Sequence, residues 1–147
     1  MIEHETSANG GPRVAWEITT DRGALLATDA RRATSLRDRL RGLLGTAALP
    51  HGHGLHIEPC SSIHTFFMAY AIDVLFLDRE GRVLRAIEAL GPWRATLPVF
   101  RARGALELPA GTLRAAGVRA GDRLHFRERL PLPGSRPSGT AFRSEHP

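Results

Sequence analysis

Residues 59–78 read PCSSIHTFFMAYAIDVLFLD, and the last third of this stretch decides the fold. Residues 71–77 are apolar except for Asp73, which is typical of a central strand covered on both faces. The four residues that follow, Asp-Arg-Glu-Gly, predict a hairpin turn, because Gly81 adopts a positive φ without strain. We therefore expect residues 82–89 to return as the neighbouring strand.

The other segments predict a domain that is rich in short strands. Apolar residues at helical spacing over residues 30–44 predict one amphipathic helix, with Thr28 or Asp29 as its N-cap and Gly45 after its end. Residues 112–116 fit a short second helix. Further strands are expected over residues 14–20, 55–58, 105–108 and 123–126. The predicted fold class is therefore α+β and mainly β.

The length of 147 residues fits one domain. Residues 1–12 are polar and glycine-rich, so we expect a disordered N-terminus there. Residues 13–130 are predicted to form a single β-rich globular domain. Residues 131–147 are rich in Pro, Gly and Arg without periodicity, which is typical of a disordered tail.

The charge does not predict a nucleic-acid partner. The net charge of +5 depends on arginine alone, because the sequence contains no lysine. Arginines scattered among many Ala, Gly and Pro residues are more typical of GC-rich codon usage than of a phosphate-binding face. An arginine-mediated contact along the predicted helix is kept only as a third hypothesis.

The compartment is expected to be the cytoplasm. No apolar run approaches the roughly 20 residues of a membrane-spanning helix, and the acidic N-terminus does not resemble a secretory signal. The single cysteine, Cys60, excludes a disulfide within the chain and fits a reducing compartment. We expect a soluble protein with no membrane partner; the oligomeric state is not predicted.

Five short motifs, in this order, resemble a bacterial and archaeal family of uncharacterised proteins, the domain of unknown function 192. They are RGLLG at 41–45, HTFFM at 64–68, Ile72-Asp73 leading to Phe76, ELPAGT at 107–112 and Gly121-Asp122. The resemblance implies a compact, mainly β sandwich or barrel with a helix packed against it, and it implies no activity. This chain departs from its relatives at Ala69 and Ala71, where others have a basic residue and a proline.

Cys60 and His64 are the first candidates for catalysis, because a thiol becomes a nucleophile when a nearby imidazole or cation lowers its pKa. Four residues of extended chain would separate them by more than about ten Å, so contact needs a turn at Ser61 and Ser62. Asp73 is the third catalytic candidate, as the group that would orient the imidazole. The alternative is a buried structural cysteine and a histidine bonded to the backbone.

A cluster of potential metal ligands precedes and includes the same motif. Imidazole and thiolate groups suit zinc and other transition metals, but the spacing here is not a recognised zinc signature. His64 is the best single candidate ligand, and no cofactor is predicted. The cluster consists of His51, His53, His56, Cys60 and His64.

Asp73 lies inside an apolar strand, where an unpaired carboxylate would be costly. We expect it to meet an arginine such as Arg94, a backbone donor or a solvent-lined pocket. Glu107 alternates with leucines, which favours a position facing solvent on an edge strand. The candidate ligand-binding residues are Phe67, Met68, Trp93, Arg94 and Glu107, although such aromatic clusters are commonly core.

The preferred hypothesis is a non-enzymatic β-rich binding module, with a pocket near His64 and Asp73 for a small molecule or a protein. A cluster of aromatic and polar residues without a complete catalytic set favours this interpretation. The alternative is a Cys/His-dependent or metal-dependent enzyme such as a hydrolase. The sequence does not decide between them, and it does not identify the ligand.

Overall fold

A computed structural model describes residues 14–33 and 48–129 of the chain. The predicted disordered segments 1–12 and 131–147 lie outside the described residues. The described residues form seven strands and one short helix: β1 (Ala15–Thr20), β2 (Leu25–Ala33), β3 (His53–Ile57), β4 (Ile72–Leu77), β5 (Val83–Leu90), β6 (Gly104–Pro109), α1 (Thr112–Ala116) and β7 (Leu124–Arg129).

These strands form one sheet in the order β5-β4-β6-β3-β2-β1-β7. Neighbouring strands are antiparallel except β2 and β3, which are parallel. All six residues of β4 are buried, and β4 lies between β5 and β6, so the central strand and its return strand are confirmed. The turn between them places Gly81 at φ 80°.

The mainly β fold class is confirmed, but the sheet is not closed into a barrel. Its two edge strands, β5 and β7, meet only where they begin, through an isolated antiparallel bridge between Arg82 and Arg123. The backbone N–H of Val83 donates to the carbonyl of Asp122 at 2.8 Å. The sheet is therefore strongly curled and touches itself at one point.

Each face of the sheet carries its own apolar core. The first core lies on the face that α1 covers and includes Ile18, Leu26, Ala27, Ala30, Leu75, Leu77, Val83, Leu106, Leu108, Leu113 and Leu124. The second core lies on the other face and includes Ala33, Leu55, Ile57, Ile63, Met68, Ile72, Val74, Phe76 and Ala105. Side chains alternate between these two cores along β4 and β6, as the pleat requires.

The beginning of the helix expected over residues 30–44 is wrong, because β2 continues to Ala33. Ala30 pairs with Trp16 and Ala27 with Ile18, so β2 contains one extra residue between these pairs. This bulge puts two alanines three residues apart on the same face, a spacing that also occurs in helices. Residues 34–44 lie outside the described residues.

The expected helix cap is wrong for the same reason. Thr28 and Asp29 lie at the bulge in β2, and their backbone N–H groups both donate to the carbonyl of Gly52, at 2.9 and 3.0 Å. The polar side chains that suggested an N-cap are therefore at a strand irregularity. The second helix, α1, has the bounds that the sequence predicted.

Candidate functional site

Two loops, residues 60–71 and 91–103, lie against each other beside the second core. The backbone N–H of Thr96 donates to the carbonyl of Ile63 at 2.9 Å, and that of Val99 to Ser61 at 2.8 Å. Next to the first of these bonds, His64 forms an isolated antiparallel bridge with Ala95. Ile63 and Met68 are buried residues of the first loop, and they fix its path on the second core. The second loop can therefore form hydrogen bonds with its backbone.

Thr65 is the main connection between the two loops, and it is fully buried. Its hydroxyl donates to the carbonyl of Gly91 at 2.6 Å and accepts from the N–H of Arg94 at 2.9 Å. Its backbone N–H donates to the carbonyl of Arg94 at 2.8 Å, and its carbonyl accepts from Trp93 at 3.0 Å. The side chain and the backbone of one residue therefore satisfy backbone groups of a turn that would otherwise be left without partners.

The loops bring the ring of Trp93 against a group of three rings of the other loop, those of His64, Phe66 and Phe67. The rings of Phe67 and Trp93 lie 4.8 Å apart between centroids, and those of Phe66 and Trp93 lie 6.1 Å apart. His64 stacks on Phe66 at 4.9 Å with an interplanar angle of 26°. Phe67 is nevertheless 69% exposed and Trp93 61% exposed. The rings contact each other but remain available to a partner.

Phe67 and Trp93 both have a left-handed backbone, at φ 66° and φ 58°. Residues with a Cβ adopt this conformation at a cost of roughly 1–3 kcal/mol, and they do so where the surroundings require it. Here the hydrogen bonds of Thr65 hold the turn at Trp93 in place. Such strain is concentrated at functional sites in proteins.

Exposed apolar side chains are concentrated on these two loops. Among the described residues, seven large apolar side chains are exposed, and two of them, Val14 and Leu25, lie elsewhere. We refer to the other five as the apolar patch: Phe66, Phe67, Trp93, Leu97 and Phe100. Leu97 and Phe100 are 79% and 85% exposed. Clustered exposed apolar residues commonly mark an interaction site.

Asp73 does not lie at the patch. Its carboxylate is fully buried and accepts hydrogen bonds from the backbone N–H of Ala89 at 2.8 Å and of Leu113 at 2.9 Å. These partners are backbone donors, as one of the expectations allowed, and not Arg94. Asp73 alternates with second-core residues of β4 and faces the first core.

The hydrogen bonds of Asp73 have a structural reason. Ile72 pairs with Leu90 and Val74 with Ile87, so β5 has a bulge opposite Asp73. The bulge removes the N–H of Ala89 from the ladder, and the carboxylate accepts it instead. Its second oxygen accepts from the first turn of α1 and so attaches this helix to the sheet.

Two other candidate ligand-binding residues belong to the interior. Met68 is 6% exposed and lies in the second core. Glu107 is fully buried in β6, and this strand lies between β4 and β3. The expected solvent-facing position of Glu107 on an edge strand is therefore wrong. It pairs with Leu55 and Val74, so it faces the second core, opposite to the direction of Asp73.

Cys60 and His64 lie on the same loop, and both are half-buried. The Cys60 thiol donates to the carbonyl of Ser62 at 3.1 Å, and the cysteine packs against the second core. A turn at Ser61 and Ser62 was expected to bring the thiol to His64. Here the thiol lies against the backbone carbonyl of Ser62. Catalysis by Cys60, His64 and Asp73 stays a prediction.

Within residues 14–33 and 48–129, no group of three or more His, Cys, Asp or Glu side chains is arranged to hold a metal ion. His53 lies at the start of β3, 3.9 Å from a carboxylate oxygen of Asp29. His56, three residues later, is buried on the first-core side against the ring of Phe126 at 5.0 Å. The role of His64 as a metal ligand stays a prediction.

A small cleft of about 210 Å³ lies where the two edges of the sheet meet, and His56 lines it. Burial lowers the pKa of His56 from its usual 6.5; Glu58 opposes this shift and Arg32 adds to it. Gly104 lies directly beside the ring, since a Cβ there would be 2.9 Å from Nε2. The cleft is lined by both arginines and carboxylates, so its charge selects neither cations nor anions.

A larger cleft of about 580 Å³ lies between β2 and α1. Its walls consist mainly of backbone and small residues, such as Ala27, Gly52 and Ala115. None of the candidate catalytic or ligand-binding residues lines either cleft. The exposed candidates Phe67, Trp93 and Arg94 therefore lie outside both clefts.

Sequence reasoning identified Phe67 and Trp93 but missed three features of this surface. Leu97 and Phe100 were not predicted as site residues, although a run with several large apolar residues and no strand periodicity could have indicated exposure. Thr65 was not identified, because its role depends on a loop 26 residues away. Arg94, a candidate, is exposed beside Trp93.

In the part of the chain that the structure describes, no helix is long and apolar enough to cross a membrane.

Comparison with known proteins gives consistent results for the fold. Residues 17–126 match the model of the family DUF192, described as an uncharacterized ACR. A UPF0127 protein of Thermococcus gammatolerans is 30% identical over 138 residues, which cover 87% of this chain and 90% of that protein.

A shorter alignment has higher identity. A UPF0127 protein of Pyrococcus horikoshii is 42% identical over 66 residues, which cover 45% of this chain and 56% of the relative. The chain thus spans about half the length of this relative. A solved structure of a protein of unknown function from Novosphingobium aromaticivorans has a TM-score of 0.64 at 18% identity, covering 84% of this chain and 99% of that one. At that identity the likeness concerns the fold alone.

Proposed function

The chain belongs to the DUF192 family, whose description names no activity, and we propose that it is a non-enzymatic module that binds a peptide or protein through the apolar patch. One observation carries this proposal. Phe67 and Trp93 are exposed, contact each other and have a strained left-handed backbone that a buried residue, Thr65, holds in place.

The rigidity of the patch supports binding. A partner that meets preformed rings does not have to order them, so less conformational entropy is lost on association. Trp93 is held at the turn after β5 by hydrogen bonds to Thr65, and Phe67 lies in the preceding loop, where the N–H of Met68 donates to the carbonyl of Thr65 at 3.2 Å. Their rings are therefore positioned in advance as anchors for a partner.

The composition of the two loops supports a protein partner. Aromatic residues and arginine are enriched at the centres of protein interfaces, whereas Lys, Glu and Asp are depleted. Residues 60–71 and 91–103 contain Trp, Phe and Arg but no Lys, Glu or Asp. The exposed side chains also fit a complementary groove or segment of a partner.

The site differs from the pocket expected near His64 and Asp73. Asp73 accepts two backbone N–H groups on the first-core side, whereas the patch belongs to loops that pack on the second core. We retain His64 at the margin of the site, where it stacks on Phe66. Arg94 is retained beside Trp93, whereas Met68 and Glu107 are buried on the side of the second core.

Selection from a displayed library of random 12-residue peptides tests the proposal. Immobilised wild-type protein is expected to enrich peptides whose binding is lost with Trp93→Ser and Phe67→Ser. Leu25→Ser is the matched control, because it removes another exposed apolar residue, 52% exposed, that lies outside the two loops. Peptides that bind the Trp93→Ser and Phe67→Ser variants as well as wild type would overturn the assignment.

A further inference from the structure

We infer that the partner segment is acidic, with carboxylates beside its apolar side chains; this inference rests on the proposed function. The charged residues of the two loops carry it. Residues 60–71 and 91–103 contain three arginines, Arg94, Arg101 and Arg103, and no acidic residue. All three arginines are exposed.

These arginines differ from others on the surface. Arg22 lies 2.6 Å from a carboxylate oxygen of Asp122, and Arg127 lies 2.7 Å from one of Glu17. Between described residues, by contrast, neither Arg94 nor Arg101 forms an ion pair. The patch therefore has positive charge that the described part of the chain does not neutralise, and a carboxylate of a partner would complement it.

The arginines are placed next to the apolar side chains. The guanidinium of Arg101 lies 5.5 Å from the centroid of the Phe100 ring. Arg94 follows Trp93 directly, and its backbone is fixed by three hydrogen bonds to Thr65. A segment that fills the patch would thus bring its neighbouring residues within reach of a guanidinium, which binds carboxylates with two parallel hydrogen bonds.

The number of cations favours a peptide over other anionic partners. Nucleic-acid binding commonly uses about 6–10 phosphate contacts, and anionic lipid surfaces are recognised by clusters of about 4–8 basic residues. The two loops provide three arginines. Arg103 lines the small cleft where the edges of the sheet meet, so Arg94 and Arg101 are the cations beside the patch. Two cations beside five exposed apolar side chains fit a short acidic segment with large apolar anchors.

The test uses the peptides enriched from the random library, labelled with fluorescein and measured by fluorescence anisotropy. We expect Asp or Glu next to Phe, Leu or Trp in these peptides. Arg94→Gln combined with Arg101→Gln should weaken binding at least about tenfold and reduce its salt dependence, because two charge-assisted contacts are lost. Arg114→Gln is the control, since it removes an exposed arginine that lies 3.7 Å from Glu88.

The outcomes separate the two proposals. Enriched peptides without acidic residues, which need Trp93 but not the arginines, would overturn the acidic partner and keep the binding patch. The absence of any peptide that depends on Trp93 would overturn both. Two further probes are phosphatidylcholine vesicles containing phosphatidylglycerol and a thymidine oligonucleotide. Trp93-dependent binding to either probe, with no peptide enriched, would also overturn the inference that the partner is an acidic peptide.

Discussion

The backbone carbonyl of Thr65 accepts a hydrogen bond from the backbone N–H of Trp93 at 3.0 Å, although 28 positions separate the two residues in the chain. This bond joins a fully buried residue to a residue that is 61% exposed. The interior of the domain thereby determines the conformation of an exposed aromatic turn. Stability and binding are expected to be coupled at this position.

Replacing Thr65 with valine should destabilise the fold by about 1–3 kcal/mol, because the carbonyl of Gly91 and the N–H of Arg94 lose their hydroxyl partner. Thr65→Ser keeps the hydroxyl and serves as the control. Urea denaturation followed by far-UV circular dichroism gives the free energy of unfolding of both variants. Equal stability of the valine and serine variants would contradict the role of the hydroxyl.

At Phe67 the usual order of alanine and glycine should reverse. Glycine adopts a φ of 66° without strain, whereas alanine does not, so Phe67→Gly should be more stable than Phe67→Ala by about 1 kcal/mol. The same pair at Phe66, which has no positive φ, should follow the usual order with alanine more stable. Thermal or chemical unfolding of the four variants measures this. A more stable alanine at both positions would argue against backbone strain at Phe67.

Asp73→Asn should lower the free energy of unfolding by about 1.5–3 kcal/mol, because the amide turns an N–H group towards a backbone donor. Because Asp73 faces the first core, peptide binding by the folded fraction should stay unchanged. Glu88→Gln is the matched control, since Glu88 lies on the same bulge but its carboxylate is exposed. An Asp73→Asn variant as stable as wild type would show that the negative charge is dispensable.

The fold should lose stability as the pH falls below about 6.5, in part through His56. Burial lowers the pKa of His56 in the folded state, so the unfolded chain binds this proton at a higher pH. In that range the unfolded state holds more protons, and acidification therefore favours unfolding. Urea denaturation at about pH 7.5 and about pH 5.5 should show a smaller loss for His56→Gln than for wild type.

His125 provides the control for this effect, because it is exposed on β7. His125→Gln should retain the pH dependence of the wild-type protein. If His56→Gln and wild type lost the same free energy between the two pH values, the titration of His56 would not contribute to the acid sensitivity.

Sequence reasoning predicted the strands where local signals were sufficient. The apolar run before Asp78 and the glycine turn predicted β4 and β5. Gly117, at which the short helix ends, likewise indicated the end of α1. It misplaced the end of β2, because a bulge gives Ala27 and Ala30 a helical spacing. Periodicity within one segment does not record which strand lies beside it, and the pairing partner is what distinguishes a bulged strand from a helix.

The candidate site was predicted only by residue type. Phe67 and Trp93 were identified as aromatic residues of a possible site, but their contact depends on the path of two loops. The sequence grouped Asp73 with them since it lies five residues after Met68. The pleat then directs the Asp73 carboxylate to the opposite face of the sheet from Met68, which no spacing rule for ligands takes into account.

The pairing of β1 with β7 has a consequence for the synthesis of this protein. Ala15 is the partner of Arg129, so the first strand borders the last one in the sheet. Contacts of such long sequence separation slow folding, because a large loop must close before they form. On the ribosome, one side of β1 remains without its neighbour until almost the whole described domain has been translated, and the sheet is completed only after that.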